Sequence, residues 1–380
     1  MKLFDTLSSE SIILDPSSNQ IRILVCGPTL YETCHVGHAR VLCFYDLMTR
    51  YLVHKGFSVA AVVIITDLDP KISSKATSIG KSAQILSNYY MNEFLMDISS
   101  LGTDRFLLFA RVSNYVNVAT DIIKKLSCDQ IAYSASGNMY IDVRKIPSYG
   151  EMSGMSCDKL REFRIDIAPN KRNPEDVLLW YSSLSCQQFY NSSLGNGTPW
   201  WHTQDVSVAM SIYDGNYDIH GGGEELIYPH HETILGQLRI LTNANRPVGW
   251  WTHVGTVTIR GNKMSNSLSN TLKIRDLIKE FLPNVIKLYL LSTHYREELS
   301  FSKSQLRKFI ATDNLIASCL LSRKTSNNNA YSNKIFTEFQ ARLDNDFDTP
   351  GALSILMEGL AKGIDRNVLE KMTNIFGLYY

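Results

Sequence analysis

The sequence of 380 residues has almost no surplus charge of either sign: 38 Lys and Arg stand against 37 Asp and Glu, for a formal net charge of +1. No global field recruits nucleic acid, and any basic surface is confined to a local patch. The opening stretch MKLFDTLSSESIILDPSS has no long apolar run and carries acidic residues early. It therefore reads as neither a signal peptide nor a membrane anchor, and the cytoplasm is the expected location, with no membrane partner. A cysteine framework is missing too. Cys26, Cys34, Cys43, Cys128, Cys157, Cys186 and Cys319 are odd in number and irregularly spaced. A chain of this size needs no covalent staples, so reduced thiols are expected. No internal repeat is visible.

What is present is an alternation of strand and helix signals. IRILVCG is a short β-branched run closed by glycine and proline, the amphipathic stretch 36–56 has apolar residues at helical spacing, and 57–69 is a second, almost wholly apolar strand. Strand, loop, helix and parallel strand make a βαβ unit. Residues from about 80 to 197 interrupt the pattern, with helical stretches near 82–101 and 113–127, a hairpin-like YSASGNMYIDV and a loop rich in Ser, Asn and Gly at 182–198. An inserted domain is expected there. Strand signals return at YDIHGGG (217–223) and VGTVTIRG (254–261). From about 271 the pattern is helical almost to the end, broken by the Ser/Asn-rich linker 322–333.

CGPTLYETCHVGHAR (26–40) lies between the first strand and the helix after it, where open parallel sheets place their ligand crevice. Backbone N–H groups and the positive helix end attract phosphate at such a position. His35 and His38, three residues apart, fall on one face of the first turn, and Gly37 between them leaves room for a flat ring. The plainer reading is a strand–helix turn whose histidines are caps or surface residues. Far downstream, GNKMSNSLSN (261–270) puts Lys263 in a loop of Gly, Asn and Ser, which alone reads as a solvated loop.

HxGH near the start, paired with KMSNS near residue 265, resembles the double signature of the class I aminoacyl-tRNA synthetases. LVCGPTLYETCHVGHAR, ITDLDPKI, KRNPEDVLLW, DIHGGGEELIYPHHE, KMSNSLSN and DNDFDTPGAL follow one another as they do in cysteinyl-tRNA synthetases, and the resemblance runs over nearly the whole chain. It implies an α/β architecture: a Rossmann-like catalytic domain in two halves, 1–80 and 198–270, an inserted connective domain at 81–197, and a helical domain at 271–380. It also implies ATP with Mg2+ as co-substrate and an aminoacyl-adenylate intermediate. By the same resemblance His35, His38 and Lys263 carry catalysis by positioning and charge stabilisation. Gly37, His220, Gly221, Gly222, Gly223, Ser265 and Ser267 are expected at ATP, and Cys26, Thr66, Trp201, Asp205, Glu225 and His230 at the amino acid.

Members of that family hold a zinc whose open position takes the substrate thiolate. Its four ligand positions fall here on Cys26, Asp205, His230 and Ile234, because WHTQD stands where the family reads WHIEC. Two of the four differ from the family pattern. Aspartate ligates zinc, so Cys26, Asp205 and His230 can still hold it with one position open; isoleucine cannot ligate. In the other reading, to which the sequence inclines slightly, the metal is gone and Asp205 faces a polar or cationic substrate side chain. Asn266 replaces the second lysine of the family's KMSKS, which is expected to slow adenylate formation while Lys263 keeps it possible.

After DNDFDTPGAL only one more helical stretch follows, and the anticodon-reading module of the family is expected to be absent. That layout is similar to the mycothiol-pathway cysteine ligases, and it makes a small-molecule or carrier amine the expected acceptor. A compact cysteinyl-tRNA synthetase that charges tRNA, and a weakly catalytic nucleotide-binding paralogue, are the alternatives.

Overall fold

The computed structural model describes residues 1–14, 19–103, 108–156, 159, 170–182, 187–259, 261–263, 271–322 and 329–380. A short hairpin, β1 (Lys2–Asp5) and β2 (Glu10–Ile13), leads into β3 (Gln20–Thr29), helix α1 (Val36–His54) and β4 (Ser58–Thr66). Helices α2 (Pro70–Ser78) and α3 (Ala83–Leu101) cross to β5 (Leu108–Arg111), and β5 pairs in parallel with β4. The apolar run VVII in β4 is fully buried, as a strand covered on both faces requires.

Helix α4 (Val116–Cys128) precedes a second sheet. This antiparallel sheet has the order β6-β7-β8-β10-β9, from β6 (Ala132–Ala135), β7 (Asn138–Ile141), β8 (Val177–Tyr181), β9 (Tyr190–Ser192) and β10 (Gly195–Pro199). Helix α5 (Trp201–Tyr213), β11 (Tyr217–Gly223), α6 (Glu232–Thr242) and β12 (Val248–Val254) return the chain to the first sheet. That sheet has the order β12-β11-β3-β4-β5 and is parallel throughout. Its two halves run outward in opposite directions from the β3–β11 pair. That pair is the topological switch point, and ligands bind outside the carboxyl ends of the strands there.

One expectation is corrected and one strand is new. The parallel sheet does not stop at residue 80: α3 packs on its core and β5 is its edge strand, so the sheet extends to Arg111. The strand β12 carries no strand expectation from sequence. VGWWTHV follows directly on a proline, and its tryptophans and histidine obscure the β-branched pattern.

The remaining described chain is mainly helical, as expected. Strands β13 (Val257–Ile259), β14 (Asn262–Lys263) and β15 (Leu299–Ser300) form a small sheet beside α7 (Ile274–Ile278), α8 (Pro283–Leu291), α9 (Lys303–Leu321), α10 (Asn329–Leu343), α11 (Thr349–Lys362) and α12 (Arg366–Ile375). Among the described residues no helix is long and apolar enough to cross a membrane.

Several family-like stretches serve this framework. In ITDLDPKI, Asp67 pairs with Arg111 at 2.8 Å and accepts from Ser113, while Asp69 caps α2 with Pro70 in its first turn. In KRNPED, Asp176 accepts from Tyr133 Oη at 2.6 Å. In DNDFDTP, Asp346 accepts from the Phe4 amide, Tyr295 Oη and Arg296, and Asp348 caps α11. Buried Arg40 donates to the carbonyls of Gly255, Thr256, His294 and Glu297, tying α1 to the segments that flank the small sheet.

Candidate active site

A cavity of about 610 Å³ opens at the carboxyl ends of the parallel strands. Thr29 of β3, Thr66 of β4, Gly223 of β11 and Val254 of β12 all line it. Of the residues expected at the site, Cys26, His35, Gly37, His38, Thr66, Trp201, Asp205, Gly223, Glu225 and His230 also border this one space. Tyr31, Lys71 and Thr256 line it as well; Tyr31 and Lys71 lie within the stretches LVCGPTLYETCHVGHAR and ITDLDPKI but are not among the expected site residues. Lys71 Nζ lies 5.7 Å from the Tyr31 ring centroid, a contact invisible along the chain.

His35 is the N-cap of α1, and both readings of HxGH hold at once. Its Nδ1 accepts from the Gly37 amide at 3.1 Å, and His38 Nδ1 accepts from the His35 amide at 3.4 Å, a reciprocal capping box. The two rings stack with centroids 3.8 Å apart. Burial lowers the His35 pKa to about 4, and burial, with the neighbouring His35 adding to it, holds His38 well below its ordinary value. Both imidazoles are therefore neutral at pH 7. With each Nδ1 accepting, the proton sits on each Nε2, so the pair offers two N–H donors.

The described residues on either side of the KMSNS stretch are anchored. Lys263 closes β14, paired with Thr258, while Leu272 O accepts from the Val36 amide at 2.9 Å and Lys273 bridges His35. The chain thus leaves beside β13 and returns against the HxGH turn. Ser265, Asn266 and Ser267 lie outside the described residues.

The HGGG run differs from expectation. His220 is fully buried and, like Gly221 and Gly222, does not border the cavity. A Cβ on Gly221 would collide with Tyr45 Oη, which bonds to Thr252 at 2.9 and 2.7 Å. A Cβ on Gly222 would stand 2.8 Å from Leu226 Cδ1, 3.3 Å from His231 Cε1 and 3.4 Å from Cys26 Cβ. These glycines make room for the protein's own side chains, and Gly223 alone of the three reaches the cavity.

Cys26, where the pairing of β3 with β4 shifts register, is surrounded by polar atoms. Its Sγ lies 3.1 Å from Asp205 Oδ2, 3.7 Å from His230 Nε2, 3.1 Å from His231 Nε2 and 3.5 Å from His220 Nε2. Asp205 Oδ2 is 3.2 Å from His230 Nε2. The far nitrogens are occupied: His230 Nδ1 by His202 at 3.0 Å, His231 Nδ1 by His253 at 2.7 Å, and His220 Nδ1 by Tyr217 Oη at 2.6 Å. Trp201 stacks on His230 at 4.8 Å. Burial holds His202, His220 and His231 neutral and lowers His253 to about 3. Burial raises the Cys26 thiol pKa, and Asp205 raises it further through its charge and hydrogen bond. Ile234 is fully buried in the apolar core.

The donor set fits zinc. Bonds of ~2.0–2.3 Å at tetrahedral angles put donors roughly 3.3–3.6 Å apart, close to the 3.1, 3.7 and 3.2 Å edges of the Cys26–Asp205–His230 triangle. Imidazoles held through their far nitrogens present the orientation and tautomer a metal ligand needs.

A parallel sheet with its crevice at the switch point, and two neutral histidines capping the first helix, define a class I aminoacyl-tRNA synthetase type of catalytic domain. The methionyl-tRNA synthetase of Mycobacterium tuberculosis in complex with methionyl-adenylate shares this fold, with a TM-score of 0.68 over 94% of this chain and 89% of that one at 12% identity. The model for the tRNA synthetases class I (C) catalytic domain matches residues 13–311. The cysteine–tRNA ligase of Thermoplasma volcanium is 32% identical over 371 residues, covering 94% of this chain and 81% of the relative. That of Dechloromonas aromatica is 34% identical over 372 residues, covering 96% and 81%. The chain belongs to the cysteinyl-tRNA synthetase family and is an ATP-dependent ligase. Membership implies ATP with Mg2+, and zinc is typical of it.

Proposed function

We propose that this chain joins cysteine to ATP as cysteinyl-adenylate and passes the cysteinyl group to a tRNA. The observation that carries the reading is that one cavity is bordered both by the paired neutral histidines and by the Cys26–Asp205–His230 triangle. In the reaction a carboxylate oxygen of the amino acid attacks the α-phosphorus of ATP and pyrophosphate leaves. The Nε2–H groups of His35 and His38 donate to the phosphate oxygens on which charge builds, and the helix end behind them adds its positive field. Lys263 offsets charge on the departing pyrophosphate, beside Ser265 and Ser267. Glu225, exposed at the cavity, suits the α-ammonium group, with Thr66 and Trp201 beside the substrate. Cys26 and His230, with Asp205 beside them, would hold zinc, which would offer the substrate sulfur a soft site and so separate cysteine from serine more sharply than the ~1–3 kcal/mol of an ordinary contact.

This reading departs from the slight inclination of the sequence towards a metal-free pocket, because the convergence on Cys26 suits a cation better than it suits a lone thiol. The names of the relatives, cysteine–tRNA ligases, support tRNA as acceptor over the amine expected from sequence. Exchange of labelled pyrophosphate into ATP tests activation, and acylation of total tRNA tests the acceptor. Cysteine-dependent exchange with charging of tRNA is expected; exchange without charging favours the amine.

A further inference from the structure

In this chain the fourth family ligand position is an isoleucine, buried in the apolar core. We propose that His231, the neighbour of His230, takes over as donor, so that Cys26, His230 and His231 hold the metal beside Asp205 and leave one position for the substrate sulfur. The inference rests on the reading of this cluster as a metal centre and goes beyond it in naming a ligand that the motif positions do not indicate.

Four observations carry it. The ligand atoms of Cys26, His230 and His231 all lie within 4.8 Å of one another, and among the described residues this is the group of His, Cys, Asp or Glu side chains so gathered. His231 Nε2 stands 3.1 Å from Cys26 Sγ, while its Nδ1 is held 2.7 Å from His253 Nε2, whose Nδ1 is in turn 2.8 Å from Thr6 Oγ1. A ligating imidazole fixed by an outer partner has this arrangement. The missing side chain of Gly222 leaves room chiefly for Leu226 and also for His231, whose Cε1 would lie 3.3 Å from a Cβ there. Finally, a carboxylate and three imidazoles converge on one half-buried thiol, which is a weak hydrogen-bonding partner for any of them. A bound cation satisfies them together. His220 Nε2 is the competing donor, 3.5 Å from the sulfur; like Asp205, it lies outside the compact group of Cys26, His230 and His231.

The test uses the full chain, stripped and reloaded with Zn2+, with Co2+ as a second probe. X-ray absorption of the zinc-loaded wild type is expected to count one sulfur and two imidazoles. Zinc affinity is expected to fall more than about 100-fold in His231→Gln, about 10–100-fold in His253→Gln as for an outer partner, and little in His220→Gln. The thiolate-to-cobalt absorption of the wild type should shift in His231→Gln. A count of one imidazole, or an affinity that falls in His220→Gln and holds in His231→Gln, overturns the assignment without relying on any variant's activity. Failure here separates from failure of the proposed function. A wild type that binds no zinc yet supports cysteine-dependent pyrophosphate exchange overturns the donor set alone. One that binds zinc through two imidazoles without exchange overturns the activation reading alone.

Discussion

The two groups of histidines around the cavity are built in opposite ways. His35 and His38 come from one turn, only partly buried, and each ring is set by a backbone amide one to three residues away. His202, His220, His230, His231 and His253 come from four separate elements, are buried, and set one another's rings across the fold. A short-range motif can encode the first arrangement, because helix geometry alone brings residues three apart together. The second exists only after the sheet, α5 and the turn before α6 have assembled. The difference teaches that an activating end tolerates local encoding, whereas a centre that excludes water needs the whole core to form it.

The sharpest way to break this comparison is at the local end. His38→Ala should cut pyrophosphate exchange by 10²–10³-fold, as loss of one transition-state donor costs about 2.7–4 kcal/mol, with little change in substrate binding. An unchanged rate would remove the pair from catalysis.

A somewhat smaller effect concerns pH. Burial lowers His35 from 6.5 to about 4. Between those values the unfolded chain takes up a proton that the folded chain does not, so the contribution to stability is whole above about pH 6.5 and shrinks as pH falls. By pH 4 the loss is about 3 kcal/mol. In urea denaturation, His35→Gln should therefore lose stability less steeply than wild type from pH 6.5 to pH 4; parallel slopes would contradict neutral burial of His35.

The smallest effect tests whether the HGGG glycines serve packing. Gly221→Ala forces a methyl into Tyr45 and should cost about 1–3 kcal/mol in thermal or urea unfolding, while KM for ATP stays near the wild-type value. A stable variant with a raised KM for ATP would return the run to the nucleotide.

Much of the site was legible from sequence. HxGH announced itself through spacing, and Cys26, Thr66, Trp201, Asp205, Glu225 and His230 all border the expected cavity. His220, Gly221 and Gly222 face the protein interior rather than the cavity lining, a placement that sequence alone does not show. Tyr31 and Lys71 had a signal, since they lie within the stretches LVCGPTLYETCHVGHAR and ITDLDPKI, whereas Thr256 reaches the cavity only through tertiary placement. His231 had a signal, the doubled histidine of PHHE, but only the fold turns both rings towards one sulfur. β5 was missed because four residues are too few to show a period.

The central claim, that this cavity activates cysteine, is tested most directly by ATP–pyrophosphate exchange run separately with each of the twenty amino acids. The account predicts exchange with cysteine, little with serine, and loss of the cysteine signal on chelation with recovery on adding Zn2+. Exchange driven by a polar or cationic amino acid and indifferent to chelator would contradict it, and would make Asp205 a recognition group in a metal-free pocket.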